Sequence, residues 1–324
     1  MNITFVSPLV RETIAEALRS EGFEVMNLGK RYHFTGSLLT FEAWLRRCIF
    51  DLKGNMVLNF SQCFLAEANV YYAQGPITKA LDDMYHEFKP FYKLTYKAIR
   101  PLLVKRDNKF NKELRRRSRV FIANSKFCAS MYKGWGIKID DVIYPPLECK
   151  QFKPTTSRPS SDYVLAYVGK ETKYSLLRRV ADLGVKIKAF GSKAPYVPRQ
   201  LLKHPNIEFL GRVSDEELID LYSNALYTLF TFTHEPFGYV PMESMACGTP
   251  VLTYNRQGPS ESVIDGVTGW LVNNDEELVN LAFKIWREGY PSWMRARCRE
   301  RALEFDVKVI ADKWLEVLKE LEGE

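Results

Sequence analysis

The sequence predicts an α/β protein with two doubly wound parallel-sheet domains that face each other across a cleft. Short apolar segments alternate with helical segments along the chain, which is typical of parallel sheets covered by helices on both faces. A Pro- and Ser-rich stretch at 154–161 interrupts this alternation and indicates a linker. Because 324 residues suffice for two cores, we expect an N-terminal domain over 1–154 and a C-terminal domain over 155–306.

Each predicted domain opens on a strand. In the first domain we predict strands at 3–7, 23–27, 56–60, 69–74 and 119–124, with helices at 10–21 and 41–52 and a basic helical stretch within 86–119. In the second domain we predict strands at 163–169, 186–190, 207–210, 227–232 and 250–254, separated by helices. The stretch 307–321 carries one apolar stripe at helical spacing, formed by Ile310, Trp314, Val317, Leu318 and Leu321.

Composition favours a soluble globular protein, since 46% of residues are hydrophobic and 26% are charged. The six cysteines show no CxxC pair and no metal-ligand spacing with the four histidines, so we expect reduced packing residues in a cytosolic protein. No stretch reaches the roughly twenty apolar residues that a membrane span needs, and the start lacks a secretory apolar core. We expect a cytoplasmic location.

Residues 86–119 hold more net charge than the whole chain. Twelve Lys and Arg face three Asp and Glu there, a net charge of +9 against +7 for the protein. Aromatic and aliphatic residues interleave at helical spacing, which would suit a helix lying on an anionic membrane surface. A solvated helix covering the domain core explains the pattern equally well. Nucleic-acid binding is a third interpretation, less favoured because no nucleic-acid motif accompanies the charge.

A pair of carboxylates surrounds a predicted helix start in the second domain. Glu235 and Glu243 stand eight positions apart, with Gly238 and Pro241 between them. Gly permits close backbone approach and Pro suits the first helical turn, so one acid is expected on a loop and the other in the first turn of a helix. Amides at a helix N-terminus suit a diphosphate. The flanking carboxylates could then bind sugar and ribose hydroxyls.

This segment resembles the signature of retaining GT-B glycosyltransferases of the family 4 type, also called group 1, which have two Rossmann-like domains. The similarity extends through 258–263 and 266–272, and includes 209–217, 120–125 and 142–146. It is specific from about residue 119 to 273. It implies transfer of a hexose from a nucleotide diphosphate sugar, a UDP- or GDP-sugar, to a glycan or lipid-linked acceptor with retention of configuration. In such proteins the C-terminal helix, here 307–324, packs back on the first domain.

The resemblance also implies roles for individual residues. Glu235 would lie beside the donor sugar as an electrostatic and positioning group, and Glu243 would bind the nucleotide ribose. An Arg and a Lys usually follow the first strand of the second domain to neutralise the diphosphate, and here a shortened loop offers two lysines. The implied donor sugar and phosphate ligands are Lys170, Lys173, Phe237, Gly238, Tyr239 and Val240, and the implied nucleobase loop holds Arg212, Val213 and Asp215.

Gln74 marks a departure on the acceptor side, because many relatives have a histidine there. Glutamine can form hydrogen bonds with a hydroxyl but cannot titrate. We expect neither cofactor nor metal, because lysines and a helix N-terminus can stabilise the leaving diphosphate and the chain has no Asp-x-Asp pair at the predicted site. Two other functions stay open: a GT-B sugar-nucleotide epimerase, which needs no acceptor, and a sugar-nucleotide-binding protein without turnover.

Overall fold

The computed structural model describes residues 3–33, 37–46, 48–52, 54, 56–85, 90–169, 171–191, 197–232 and 234–323. Two compact units are present. One comprises Met1–Leu52 with Ser61–Ala66, and the other comprises Lys53–Phe60 with Glu67–Glu324. The boundary predicted near residue 154 falls within the second unit and stays a prediction.

The elements alternate as expected for an α/β protein. The strands are β1 (Thr4–Ser7), β2 (Glu24–Asn27), β3 (Cys48–Ile49), β4 (Leu58–Asn59), β5 (Phe64–Leu65), β6 (Ala68–Ala73), β7 (Ser118–Ala123), β8 (Asp141–Val142), β9 (Val164–Val168), β10 (Ile187–Gly191), β11 (Ile207–Gly211), β12 (Thr228–Leu229), β13 (Val251–Tyr254) and β14 (Gly269–Val272). The helices are α1 (Glu12–Ser20), α2 (Ser37–Arg46), α3 (Ile77–Met84), α4 (Pro90–Arg116), α5 (Lys126–Lys133), α6 (Tyr174–Asp182), α7 (Asp215–Asn224), α8 (Tyr239–Ala246), α9 (Pro259–Ser262), α10 (Asp275–Glu288), α11 (Trp293–Leu303) and α12 (Val307–Glu322).

The first unit contains two small parallel sheets, β1 with β2 and β3 with β5. The helix predicted at 41–52 is wrong in its second half, because α2 ends at Arg46 and Cys48–Ile49 is a strand. Cys48 pairs with Phe64 and Ile49 with Leu65. Pairing with a distant segment therefore overrides the local helical pattern.

The second unit contains a parallel sheet of order β4-β6-β7-β8. Helix α12 packs against it, since Ile310 and Leu321 share a buried cluster with Val70 and Tyr72. The Trp314 ring of the same helix lies 5.3 Å from the Tyr72 ring. The apolar stripe predicted on 307–321 thus faces this sheet.

A larger parallel sheet of order β11-β10-β9-β12-β13-β14 forms the rest of the second unit. Strand β9 has β10 on one side and β12 on the other, so the chain reverses its winding direction between β9 and β12. In such sheets ligands bind outside the carboxyl ends of the strands at this reversal. The loops after β9, β12 and β13 are neighbours at that edge. Together with the relatives described below, this organisation confirms the predicted α/β fold.

Helix α4 carries the basic segment, of which residues 86–89 lie outside the described part of the chain. It buries one face through Tyr96, Leu103 and Phe110. On other faces Phe91 is 74%, Leu94 71% and Leu102 69% exposed. None of the described helices combines the length and apolarity that crossing a membrane requires.

Candidate functional site

The turn after β12 starts helix α8 where the sequence predicts a helix start. Gly238 is the residue preceding the first helical turn and has φ = 98°, a conformation that favours glycine. A Cβ on Gly238 would lie 3.0 Å from Pro259 Cγ and 3.3 Å from Glu235 Cγ. A side chain at this position would be strained by the backbone conformation and would have to displace Pro259 or Glu235 by a few tenths of an ångström. Helix α8 buries Met242 and Met245, which anchors it beneath the turn.

Glu235 lies on this turn, ahead of the helix. The backbone amide of Phe237 donates to Glu235 Oε1 at 3.4 Å. Burial raises the pKa of Glu235, while that amide and the neighbouring His234 oppose the rise. The Glu235 carbonyl oxygen accepts from the Gly258 amide at 3.0 Å, so the backbone of the next loop fixes its position.

Glu243 lies one turn into α8, beyond the first helical turn in which the sequence predicts it, because the helix begins at Tyr239. The hydroxyl of Tyr222, on α7, donates to Glu243 Oε2 at 3.0 Å. Burial raises the pKa of Glu243 to about 7; the Tyr222 hydrogen bond opposes the rise and the charge of Asp215 adds to it. Near neutral pH the carboxyl therefore exists in both protonation states.

Both carboxylates influence the pKa of Tyr167, near the end of β9. Burial raises the pKa of Tyr167, and the charges of Glu171, Glu235 and Glu243 raise it further, while Arg212 opposes them. The tyrosine ring packs against that of Phe232 in a tilted arrangement, with the centroids 5.3 Å apart and the ring planes at 39°. The site thus gathers three acids and an arginine around one partly buried ring.

Of the two predicted lysines, Lys170 lies outside the described residues. Lys173 immediately precedes α6, and its ammonium donates to both carboxylate oxygens of Asp275 at 2.7 Å. The Tyr254 hydroxyl donates to the same carboxylate at 2.6 Å. These partners lower the pKa of Asp275 against the effect of its burial. A phosphate would have to compete with Asp275 for Lys173, and the predicted phosphate contact stays a prediction.

The predicted nucleobase loop connects β11 to α7. Arg212 is exposed, whereas Val213 packs partly buried against the cluster that contains Tyr222. Asp215 begins α7 and accepts from Gln151 Nε2 at 3.0 Å. The preceding residue, Ser214, forms a capping box with Glu217. This cap fixes where the loop ends and α7 begins.

Gln74, predicted on the acceptor side, is exposed directly after β6. The adjacent Gly75 has φ = 100°, and a Cβ there would lie 2.9 Å from Met131 Cε and 3.9 Å from Pro236 Cγ. Pro236 follows Glu235, so the structure brings the loop after β6 next to the turn that carries this acid.

Sequence reasoning missed the long-range contacts of two residues, His234 and Glu261. His234 is buried, and its Nδ1 lies 2.8 Å from Asp83 Oδ2 on α3. Glu261, on α9, accepts from the amides of Lys126 and Phe127 at 2.9 and 2.7 Å and thereby caps α5. The Tyr144 hydroxyl also donates to Glu261, at 2.9 Å. The available signal was weak: Glu261 lay within the matching segment 258–263, and nothing local pointed to its partners.

Known proteins resemble parts of this chain in sequence. Residues 198–305 match the family described as glycosyl transferases group 1. Over 70 residues the chain is 40% identical to the alpha-1,3/1,6-mannosyltransferase ALG2 of Mus musculus, which covers 22% of this chain and 17% of the relative. Over 159 residues it is 28% identical to the D-inositol 3-phosphate glycosyltransferase of Mycolicibacterium smegmatis, covering 42% and 37% of the two chains. The chain thus spans a minor part of the length of these curated relatives.

Solved structures resemble the chain over more of its length. HepE from Anabaena, solved with UDP, superposes with a TM-score of 0.65 at 18% identity and covers 99% of this chain and 100% of HepE. Sucrose-phosphate synthase from Thermosynechococcus elongatus gives a TM-score of 0.62 at 21% identity over 82% of this chain and 69% of the synthase. At these identities the likeness concerns the fold. The chain has the GT-B fold of these solved structures, and its residues 198–305, a third of the sequence, match the group 1 glycosyl transferases.

Proposed function

We propose that this protein is a retaining glycosyltransferase of the family 4 type that moves a hexose from a UDP- or GDP-sugar to a glycan or lipid-linked acceptor. One observation carries the proposal: Glu235 and Glu243 lie on either side of the N-terminus of α8, at the carboxyl edge of a parallel sheet. The amides from Phe237 to Val240 would receive the diphosphate. Glu235 would contact the donor sugar and Glu243 the ribose.

The names of the relatives support the class of reaction. ALG2 is named as a mannosyltransferase, an enzyme that transfers a hexose. HepE was solved with UDP and with the nucleotide sugar UDP-glucose. The carboxyl edge also has, in the order of the parts of such a donor, the acid Glu235, the start of α8 and a second acid, Glu243, one turn into that helix. Arg212, Val213 and Asp215 border the edge from the β11 side and would surround the nucleobase.

The chemistry proposed is stabilisation of charge on the departing diphosphate. The bond from the anomeric carbon to the diphosphate oxygen breaks with its electron pair on that oxygen. The acceptor hydroxyl oxygen bonds to the same carbon, and its proton passes to the departing diphosphate. Donors fixed where charge develops accelerate such steps, and Glu235 would orient the sugar and stabilise positive charge on its ring. Gln74 could hydrogen-bond an acceptor hydroxyl without exchanging a proton.

The proposed transfer needs neither cofactor nor metal. Cationic side chains and the α8 N-terminus would supply the positive potential at the diphosphate. Transfer assayed with excess EDTA should therefore continue at the untreated rate. Activity lost on chelation and restored by magnesium or manganese would contradict this part of the proposal.

Binding of the donor is the direct test. We expect UDP or GDP, and the matching sugar nucleotides, to raise the melting temperature of the wild-type protein, since a ligand of the folded state stabilises it. A panel with ADP and TDP identifies the base. Glu243→Gln is the matched variant, expected to need a higher nucleotide concentration for the same shift. No shift with any of the nucleotides would overturn the proposed function.

Two other functions are outcomes of an assay that follows both the sugar and the nucleotide. An epimerase would change the sugar of the bound donor without an acceptor and without net release of nucleoside diphosphate. A binding protein would show nucleotide-dependent stabilisation and no turnover with any acceptor. Release of nucleoside diphosphate that depends on an added glycan or lipid-linked acceptor would support the transferase.

We also propose that the protein acts in the cytoplasm, peripheral on an anionic membrane that presents the acceptor. Exposed Phe91, Leu94 and Leu102 support this, because they lie near Lys97, Lys105 and Lys109 on the exposed surface of α4. Each Lys or Arg near such a surface contributes about 1 kcal/mol, and salt screens it.

Co-sedimentation with neutral and anionic vesicles tests this membrane contact. The protein should bind anionic vesicles at low salt and leave them at high salt. Leu94→Gln with Leu102→Gln should weaken binding, whereas Leu183→Gln, at an exposed site on the α6 side, serves as the control. Absence of binding to anionic vesicles at low salt would favour a soluble acceptor.

A further inference from the structure

The loop after β13, residues 255–258, carries an exposed arginine. The guanidinium carbon of Arg256 lies 4.4 Å from the centroid of the buried Tyr254 ring. This is the geometry of a cation–π contact, which holds a long side chain in place. The following residue, Gln257, has φ = 68°, an uncommon conformation for a residue other than glycine. Backbone outliers of this kind concentrate at ligand sites.

The loop is in direct backbone contact with the turn that carries Glu235. The Gly258 amide donates to the Glu235 carbonyl at 3.0 Å. A Cβ on Gly258 would lie 2.2 Å from the carbonyl oxygen of Pro236, so nothing fits between the two segments. Pro259 also contacts Gly238. A side chain projecting from residue 256 is therefore anchored beside the proposed diphosphate-binding turn.

Strand order places this turn between two cations. Lys173 follows β9, the turn follows β12 and Arg256 follows β13, and these strands are adjacent in the order β9-β12-β13. Both cations also approach one ring, because Lys173 Nζ lies 5.8 Å from the Tyr254 centroid. The Tyr254 ring therefore contacts both positively charged side chains at this edge of the sheet.

The two cations differ in their partners. Lys173 is neutralised by a two-oxygen contact with Asp275, both distances being 2.7 Å. Arg256 forms no ion pair with a carboxylate among the described residues, and its side chain is exposed. At Lys173 an incoming diphosphate would meet a cation whose charge Asp275 already neutralises, whereas it could bind Arg256 with no carboxylate paired to that side chain among the described residues.

We propose that Arg256 binds the diphosphate of the nucleotide sugar and is the main side-chain cation that neutralises the leaving group. The planar guanidinium can donate two parallel hydrogen bonds to phosphate oxygens. This inference rests on the proposed function and assigns to the loop after β13 a role that the sequence predicts for the loop after β9. Lys173 then serves chiefly to hold Asp275 and the start of α10.

The test measures the affinity of wild type and variants for a nucleoside diphosphate and for the corresponding nucleoside, by calorimetry with UDP and GDP. Arg256→Gln should weaken diphosphate binding roughly 10- to 100-fold, the loss expected for a charged hydrogen bond, and leave nucleoside binding unchanged. Arg256→Lys should restore part of the affinity. Arg178→Gln is the matched control, since Arg178 is 61% exposed on α6 and pairs only loosely, at 3.7 Å, with Asp182.

Lys173→Gln separates the two cations. The proposal expects a smaller loss of diphosphate affinity from Lys173→Gln than from Arg256→Gln. Diphosphate affinity unchanged in Arg256→Gln, or a larger loss in Lys173→Gln, would overturn the assignment while wild-type binding leaves the proposed function intact. Wild-type protein that binds no nucleoside diphosphate would overturn the proposed function and this assignment together.

Discussion

Glu235 and Glu243 are held in place by different means, although both are carboxylates whose pKa burial raises. Glu235 depends on backbone: a Phe237 amide at its side chain and a Gly258 amide at its carbonyl. Glu243 depends on one side chain, the Tyr222 hydroxyl, and on the rigidity of α8. The first acid is therefore sensitive to the packing of neighbouring loops, whereas the second can be changed alone.

The largest effect is expected from Gly258→Ala, which disrupts the backbone contact between Gly258 and the turn that carries Glu235. The φ of −57° at Gly258 suits any residue, so the cost comes only from the added methyl group, 2.2 Å from the Pro236 oxygen and 2.4 Å from Phe237 Cα. We expect the free energy of unfolding to fall by about 3 kcal/mol or more. Urea denaturation measures it.

Gly134→Ala is the control for that substitution. Gly134 also has a negative φ, −61°, but a Cβ there would meet its nearest atoms at 3.5 and 3.6 Å, which is ordinary contact. Its stability should change by less than about 1 kcal/mol. Equal stability of both variants would show that the turn can move away from the loop, contrary to the backbone-held description of Glu235.

The next largest effect separates the roles of the two acids. Glu235→Gln should lower kcat roughly 100-fold, a size typical of losing one electrostatic group, with nucleotide affinity changed by less than about threefold. Glu243→Gln should chiefly weaken nucleotide affinity, roughly tenfold. Transfer rate and nucleoside diphosphate affinity are measured on both variants. Equal losses of both quantities in both variants would remove the distinction.

The raised pKa of Glu243 makes the stability of the folded protein depend on pH. Folding raises the pKa of Glu243 from 4.5 to about 7, so the folded state binds this proton more tightly than the unfolded state. The resulting stabilisation is complete below about pH 4.5 and is lost as the pH rises through about 7. Relative to that of Glu243→Gln, the free energy of unfolding of the wild type should fall by about 1 to 3 kcal/mol between pH 4.5 and 8.

Urea denaturation of both proteins across this pH range gives the difference. Tyr222→Phe is the second arm, because removing the hydrogen bond that opposes the rise should move the Glu243 transition to higher pH. A difference between wild type and Glu243→Gln that is flat with pH would contradict the raised pKa.

The smallest effect is expected from the pair formed by His234 and Asp83. Asp83 is 39% exposed, and partly exposed pairs contribute about 1 kcal/mol or less. Asp83→Asn should lower the free energy of unfolding by no more than that and lower kcat less than Glu235→Gln does. A kcat as low as that of Glu235→Gln would mean that the pair positions the sugar-binding turn.

Local sequence patterns predicted the parts of the site that depend on local physics. The start of α8 followed from Gly238 and Pro241, and short apolar runs predicted every strand of the larger sheet except β14. The contacts Asp83–His234 and Glu261–Phe127 join residues 151 and 134 positions apart, and no local periodicity encodes such pairs. The pairing of Cys48–Ile49 with Phe64–Leu65 escaped prediction for the same reason.

The amides that Glu261 caps can report on the position of the turn at Gly238. Its carboxylate holds the amides of Lys126 and Phe127, and its helix begins with Pro259, which touches Gly238. A ligand that displaces the Gly238 turn would therefore alter the hydrogen bonds of two backbone amides at the start of α5. Their exchange with deuterated solvent would record a displacement of the turn at a different helix, α5.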